Sequence, residues 1–129
     1  MCTNTTKSQG GVLAIDDEPE LLEIVKSALE PRGFNVHTAL TARGGIEYYE
    51  QNWRDINLVL LDFLMPEMTG DLVFEYLKQK NPEVRTLLLT GCEDYVAERM
   101  FQGGLWGYMH KPFALEDFVN RVTEAVESA

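Results

Sequence analysis

Three short stretches of this chain are apolar at consecutive positions, not at alternate ones: GVLAI (11–15), LVLL (58–61) and TLLL (86–89). A strand that is apolar throughout must be covered on both faces, as central strands of a parallel sheet are. Each stretch also stops at a polar group. Asp16 and Asp17 follow the first, Asp62 the second and Thr90 the third. A carboxylate is almost never fully buried unless it is paired, so something must meet these acids where the strands deliver them.

Between the stretches the apolar period lengthens to that of helices. Residues 19–30 put Leu21, Leu22, Val25, Ala28 and Leu29 on one face, with Pro19 suited to the first turn and Gly33 to the close. FNVHTA (34–39) is a strand in which Phe34, Val36 and Thr38 alternate with Asn35 and His37. A weaker helix over 41–53 has Thr41 as its N-cap and is diluted by Gly44 and Gly45. Thr69 is placed to cap a helix over 70–80 that carries Leu72, Val73, Tyr76 and Leu77 on one face. Residues 84–90 form the fourth strand, and a helix over 93–102 turns Val96, Ala97 and Met100 inward. WGYMH (106–110) is a short fifth strand, and a helix over 114–127 aligns Leu115, Phe118, Val119, Val122 and Val126. Five strands alternating with five helices predict an α/β fold with a parallel sheet covered on both sides. One domain over 11–127 is expected, after a flexible tail over 1–10.

Charge narrows the functions open to such a fold. The formal net charge is −10, and the 11 Lys and Arg residues form no basic run. A chain this acidic is poorly suited to bind nucleic acid directly or to sit on an anionic membrane. Cys2 and Cys92 have neither a CxxC nor a Cys/His ligand spacing, so a zinc site or disulfide framework is not expected. The polar start MCTNTTKSQGG is unlike a secretory signal, and no stretch is long and apolar enough to span a bilayer. A reduced, cytoplasmic domain is the expectation.

Right-handed crossovers place every strand's C-terminal end at one edge of the sheet, where ligands of open α/β sheets bind. The strands deliver Asp16 and Asp17, Asp62, Thr90 and Lys111 there. Carboxylates this close repel one another unless a cation intervenes. An all-oxygen set suits Mg²⁺ (or Mn²⁺), which takes one or two carboxylates and recruits phosphate oxygens. Asp is also a recognised nucleophile that forms an aspartyl phosphate. Taken singly, the residues have plainer readings: Asp17 as a helix cap, Thr90 as a turn residue, Lys111 as a solvated charge, Tyr108 as a core aromatic. His37 and His110 have no Ser or Cys partner at a triad spacing, and there is no GxxxxGK[ST] or GxGxxG.

Taken together, the DD at 16–17, LLDFLMPEMTG at 60–70, LLLTG at 87–91 and YMHKPF at 108–113 resemble the receiver domains of two-component response regulators. The resemblance covers residues 11–127. It implies a flavodoxin-like (βα)5 three-layer sandwich with a five-stranded parallel sheet in the order 2-1-3-4-5. It implies Asp62 as the acceptor of a phosphoryl group from a histidine kinase's phosphohistidine. Asp16, Asp17, Asp62 and the backbone carbonyl of Leu64 would hold Mg²⁺. Lys111 would pair with Asp62 or a phosphoryl oxygen, and Thr90 would bind the phosphoryl group after transfer. Tyr108 would be the aromatic that follows Thr90 inward, and the Lys111–Pro112 bond would be cis. A haloacid-dehalogenase type of phosphohydrolase would need a second Asp where this chain has Leu64.

The chain departs from the family pattern at positions that often set the phosphoryl lifetime, here Leu64 and Cys92, neither of which can orient a water. Trp106, with Tyr95 and Met100, is the candidate partner surface; the plainer reading lays Trp106 flat over the 93–102 helix. The expected function is a phosphorylation-activated switch that turns over no separate substrate. It would remodel the 93–127 face for a protein target or output domain, with a homodimer through that face as a further option. Its expected phosphodonor is a histidine kinase or phosphotransfer protein. The alternative is a receiver-like interaction module that signals without phosphorylation.

Overall fold

In a computed structural model, which describes residues 10–91 and 94–127, five strands and five helices alternate along the chain. The strands are β1 (Gly10–Ile15), β2 (Phe34–Ala39), β3 (Leu58–Asp62), β4 (Thr86–Thr90) and β5 (Gly107–His110). The helices are α1 (Pro19–Leu29), α2 (Ala42–Asn52), α3 (Gly70–Lys80), α4 (Asp94–Gln102) and α5 (Leu115–Glu127). All pairings are parallel and the strand order is β2-β1-β3-β4-β5, as expected. The tail expected over 1–10 lies outside the described residues except for Gly10, which opens β1.

Successive strand residues face opposite cores, which explains the unbroken apolar runs. Val12, Ala14, Leu58, Leu60, Leu87 and Leu89 pack with Leu22, Val25 and Leu29 of α1 and Phe118 and Val122 of α5. Leu13, Ile15, Val59, Leu61 and Leu88 pack with α2, α3 and α4 through Ile46, Tyr49, Val73, Phe74, Leu77 and Met100. The sheet is thus the middle of three layers.

Local signals held in part. Thr41 caps α2 by accepting from the Gly44 N–H at 2.9 Å. Gly33, at φ 95°, ends the single 3₁₀ turn Glu30–Arg32 that extends α1, in a conformation that favours glycine. Thr69 occupies the N-cap position of α3, but its hydroxyl donates to the Asp71 carboxylate and caps no backbone group. The buried stripe of α3 is Val73, Phe74 and Leu77, whereas Leu72 and Tyr76, expected inside, are exposed. That stripe is set by where the sheet lies, since LVFEYL is apolar in nearly every direction.

The end of β1 is pinned from above by α2. Gly45 lies so close to the sheet that a Cβ there would stand 2.5 Å from Ile15 Cδ1, directly before Asp16. Alanine at 45 would gain up to about 1 kcal/mol of helix propensity. We nevertheless expect Gly45→Ala to destabilise by about 1–3 kcal/mol, because overpacking must push α2 off the strand. Urea denaturation measures it, and a net gain would show that Ile15 has room to yield.

Candidate functional site

Register brings the strand ends together. Ile15 pairs with Leu61, so Asp16 and Asp62 stand level on neighbouring strands and, by alternation, on the same face. Asp62 pairs in turn with Leu89, one residue before Thr90, and Thr90 pairs with His110, one residue before Lys111. Backbone bonds lock these ends: Asp16 N–H donates to Ala39 O at 3.1 Å, and Lys111 N–H to Thr90 O at 2.7 Å. Gly70 N–H donates to Phe63 O at 2.7 Å and folds the 63–69 loop back onto β3. A Cβ on Gly70 would meet Asp62 O at 2.9 Å, so this turn needs the missing side chain.

At the edge, Lys111 Nζ donates to Asp62 Oδ1 at 2.8 Å, to Asp16 Oδ2 at 3.1 Å and to Glu18 Oε1 at 3.4 Å. Asp16 and Asp62 are buried, Asp17 is exposed, and one oxygen from each of the three lies within 4.8 Å of the others. This all-carboxylate set, with no His or Cys in it, fits a small hard cation. An open pocket of about 300 Å³ lies over it, lined by Asp17, Glu18, Asp62, Leu64, Gly91 and Lys111.

The electrostatics follow from burial and crowding. Burial pushes the Asp62 carboxyl up from its ordinary 3.8 to about 6, against the pull of the Lys111 hydrogen bond and with added repulsion from Asp16 and Asp17. Burial raises Asp16 as well, opposed by the Glu18 N–H and by Lys111. For Lys111, burial works against the charged form, but the hydrogen bond to Asp62 and the charges of Asp16 and Asp62 outweigh it and raise its pKa above the usual lysine range. Lys111 is therefore a fixed cation, while the acids around it outnumber it.

The other expected residues are placed as follows. Thr90 is fully buried at the end of β4. Tyr108 is half-buried on β5, level with Leu88, and its hydroxyl donates to Glu98 Oε2 on α4 at 2.6 Å. The side chain of Leu64 is exposed at the pocket rim. Cys92 lies outside the described residues. The Lys111–Pro112 bond is cis.

The partner surface needs correction. Met100 is buried in the core under α4 and cannot serve as a surface anchor. Trp106 is half-buried, packed on the α1/α5 side with the Arg121 guanidinium 5.3 Å over its ring, and so does not lie over the 93–102 helix. Of the three, Tyr95 alone is openly exposed, at 72%, beside Arg99. Asp17 is no helix cap, since Glu18 holds that position. Two further residues bond to members of this set, Glu18 to Lys111 and Glu98 to Tyr108. Glu18 directly follows the Asp pair and so was open to suspicion, whereas nothing local in the sequence announces the Glu98–Tyr108 bond.

A family model described as "Response regulator receiver domain" matches residues 12–123. The chain is 37% identical over 113 residues to "Probable transcriptional regulatory protein TcrX" of Mycobacterium tuberculosis, covering 86% of this chain and 47% of the relative. It is 29% identical over 117 residues to "Sensor kinase CckA" of Brucella abortus, covering 90% of this chain and 12% of that protein. The chain thus spans less than half the length of these relatives. A solved receiver domain from Clostridium thermocellum superposes with a TM-score of 0.87 at 28% identity, over 92% of this chain and 95% of the other.

The raised Asp62 value fixes a sign. Between about pH 4 and 6 the folded protein holds a proton on Asp62 that the unfolded chain has released, so this carboxylate lowers stability progressively as pH rises through that window. Asp62→Asn removes the charge and keeps the shape. In metal-free buffer at pH 7–8 we expect it to be more stable than wild type by about 1–3 kcal/mol. The gain should fade as pH drops from 6 toward 4. Thermal melts across that range measure it, and a gain that persisted at pH 4 would contradict this account.

Proposed function

This chain belongs to the response regulator receiver domains, and we propose that Asp62 is the residue through which it works as a phosphorylation-dependent switch. Receiver domains of this kind are phosphoacceptors that work with histidine kinases and output domains, and they bind Mg²⁺ at an acidic pocket. The observation that carries the assignment is the Lys111–Asp62 contact of 2.8 Å, level with Asp16 on the neighbouring strand. It sets a nucleophile, a fixed cation and two further carboxylates at one strand edge.

In the proposed step, Asp62 attacks the phosphorus of a phosphohistidine. The P–N bond breaks with its electron pair staying on the imidazole, which takes up a proton, and an O–P bond forms to Asp62. Asp16, Asp17, Asp62 and the Leu64 carbonyl would hold Mg²⁺, which would offset charge on the phosphoryl oxygens. Lys111 orients the Asp62 carboxylate beforehand and supplies a hydrogen bond to the transferred group. Thr90, at the end of the adjacent strand, is proposed to bind the phosphoryl group, with Tyr108 following it inward.

Tyr108 would then leave Glu98, so the new arrangement would reach α4 directly. The switch is a population shift between two arrangements of β4, α4 and β5. The proposed readers are a protein target or an output domain, or a second copy through the 93–127 face. Tyr95, Arg99 and Phe101 are among the exposed groups on α4 that such a reader would meet. No helix among the described residues is long and apolar enough to cross a membrane.

Acetyl phosphate with Mg²⁺ tests the reading. The wild-type chain should acquire one acid-stable, base-labile phosphoryl group by mass spectrometry, and Asp62→Ala should acquire none. An unmodified wild type whose Asp62→Ala variant still signals would favour the phosphorylation-independent module instead. The exposed Leu64 cannot orient an attacking water, so the phosphoryl group should be long-lived. Leu64→Asn should shorten its half-life roughly tenfold, and Cys92→Glu should act in the same direction. An unchanged decay in both variants would remove these positions from rate control.

A further inference from the structure

Lysine has three ammonium hydrogens, and Lys111 has three carboxylate partners: Asp62 at 2.8 Å, Asp16 at 3.1 Å and Glu18 at 3.4 Å. Its donors are therefore all engaged before any phosphoryl oxygen arrives. The partners are not equivalent. The side chains of Asp16 and Asp62 are 3% and 9% exposed and sit rigidly at strand ends. That of Glu18 is 63% exposed and makes the longest contact.

Glu18 is also an odd choice for its place in the fold. It occupies the N-cap position of α1, where Ser, Thr, Asp and Asn are favoured because their short side chains accept from the first helical N–H groups. Its side chain makes no such bond. The helix start is organised without it, by Pro19 in the first turn and by Asp16 Oδ1, which accepts from the Glu18 N–H at 2.9 Å. The backbone of Glu18 is thus held in place while its carboxylate, which does nothing for the helix, turns toward Lys111 in the wall of the pocket.

We propose that Glu18 is a positioning residue that occupies the third Lys111 hydrogen in the resting site and yields it to a phosphoryl oxygen during transfer. The proposal rests on Asp62 being the phosphoacceptor. An arriving oxygen can reach Lys111 only by displacing one of three carboxylates. Glu18 is the cheapest to displace, because an exposed ion pair is worth little and its carboxylate returns to water. No covalent bond changes and no proton moves; one acceptor replaces another. In the resting state the same carboxylate keeps Lys111 turned to the mouth of the pocket and denies that hydrogen to stray small anions.

Two variants separate donor occupancy from simple charge. Glu18→Gln removes the charge. Glu18→Asp keeps it but is one methylene shorter and suited to capping α1, so it draws back from Lys111. With acetyl phosphate and saturating Mg²⁺, both should be phosphorylated roughly two- to fivefold faster than wild type, the equivalent of one exposed ion pair. The difference should shrink as ionic strength rises. Wild-type rates in both, or acceleration by Gln alone, would overturn the proposal, the latter by assigning the effect to charge at the rim. A second measurement does not depend on transfer. In ¹⁵N NMR of the metal-free protein, the Lys111 ammonium resonance should broaden in both variants, because a freed hydrogen exchanges faster with water; an unchanged resonance would overturn the proposal. If the wild type took up no phosphoryl group, the assignment of Asp62 would fail, while the resonance would still decide the role of Glu18.

Discussion

One half-buried ammonium holds the functional edge of this molecule together. Asp16 and Asp62 are level on adjacent strands and lie almost wholly out of water. Two bare carboxylates in that position would repel each other and resist ionisation. Lys111 arrives from the far edge strand and bonds to both, so a single side chain reconciles the ends of β1, β3 and β5. The reconciliation is incomplete by design of the charge count. With Asp17 and Glu18 beside them, four carboxylates face one lysine, and Asp62 still sits near a pKa of 6. The residual negative charge is what gives a divalent cation a reason to bind.

That edge was legible in the sequence because strand direction does most of the work. In a parallel sheet with right-handed crossovers, every strand's last residue lands on one rim, so the residue after each apolar run could be read off directly. Asp16, Asp62, Thr90 and Lys111 stand out in this way, whereas the strand order is what the resemblance to receiver domains implies. Side-chain placement on the helices was less legible. Over LVFEYL, apolar residues occupy 72, 73, 74, 76 and 77, so more than one stripe satisfies the helical period. The core on that face of the sheet, shared with Val59 and Leu88, took in Phe74 and left Leu72 and Tyr76 outside.

Trp106 and Glu18 were misjudged or missed for a related reason, because their partners are distant in the chain. Trp106 finds Arg121 across the sheet edge, on the helix that follows β5. Glu18 looks like part of a helix start, and only the arrival of Lys111 from 93 residues away gives it another task. Spacing rules capture what repeats along a segment; they do not capture a contact made once between two segments.

The last link is from the rim to the surface, and the packing indicates which element can carry it. Helices α1, α2, α3 and α5 each bury three or four side chains or glycines against the sheet. Among its described side chains, α4 buries Ala97 and Met100. Less apolar area would be exposed if this helix shifted, so in the proposed switch it is the element that would move at least cost. It is also the helix to which Tyr108 is tied through Glu98, and Tyr108 sits on the strand that ends beside Lys111. In the proposed switch, a rearrangement at the buried acids would meet stiff, doubly covered strands on one side and a helix with fewer buried side chains on the other. Strain created at the rim would relax where the restoring force is smallest, at α4.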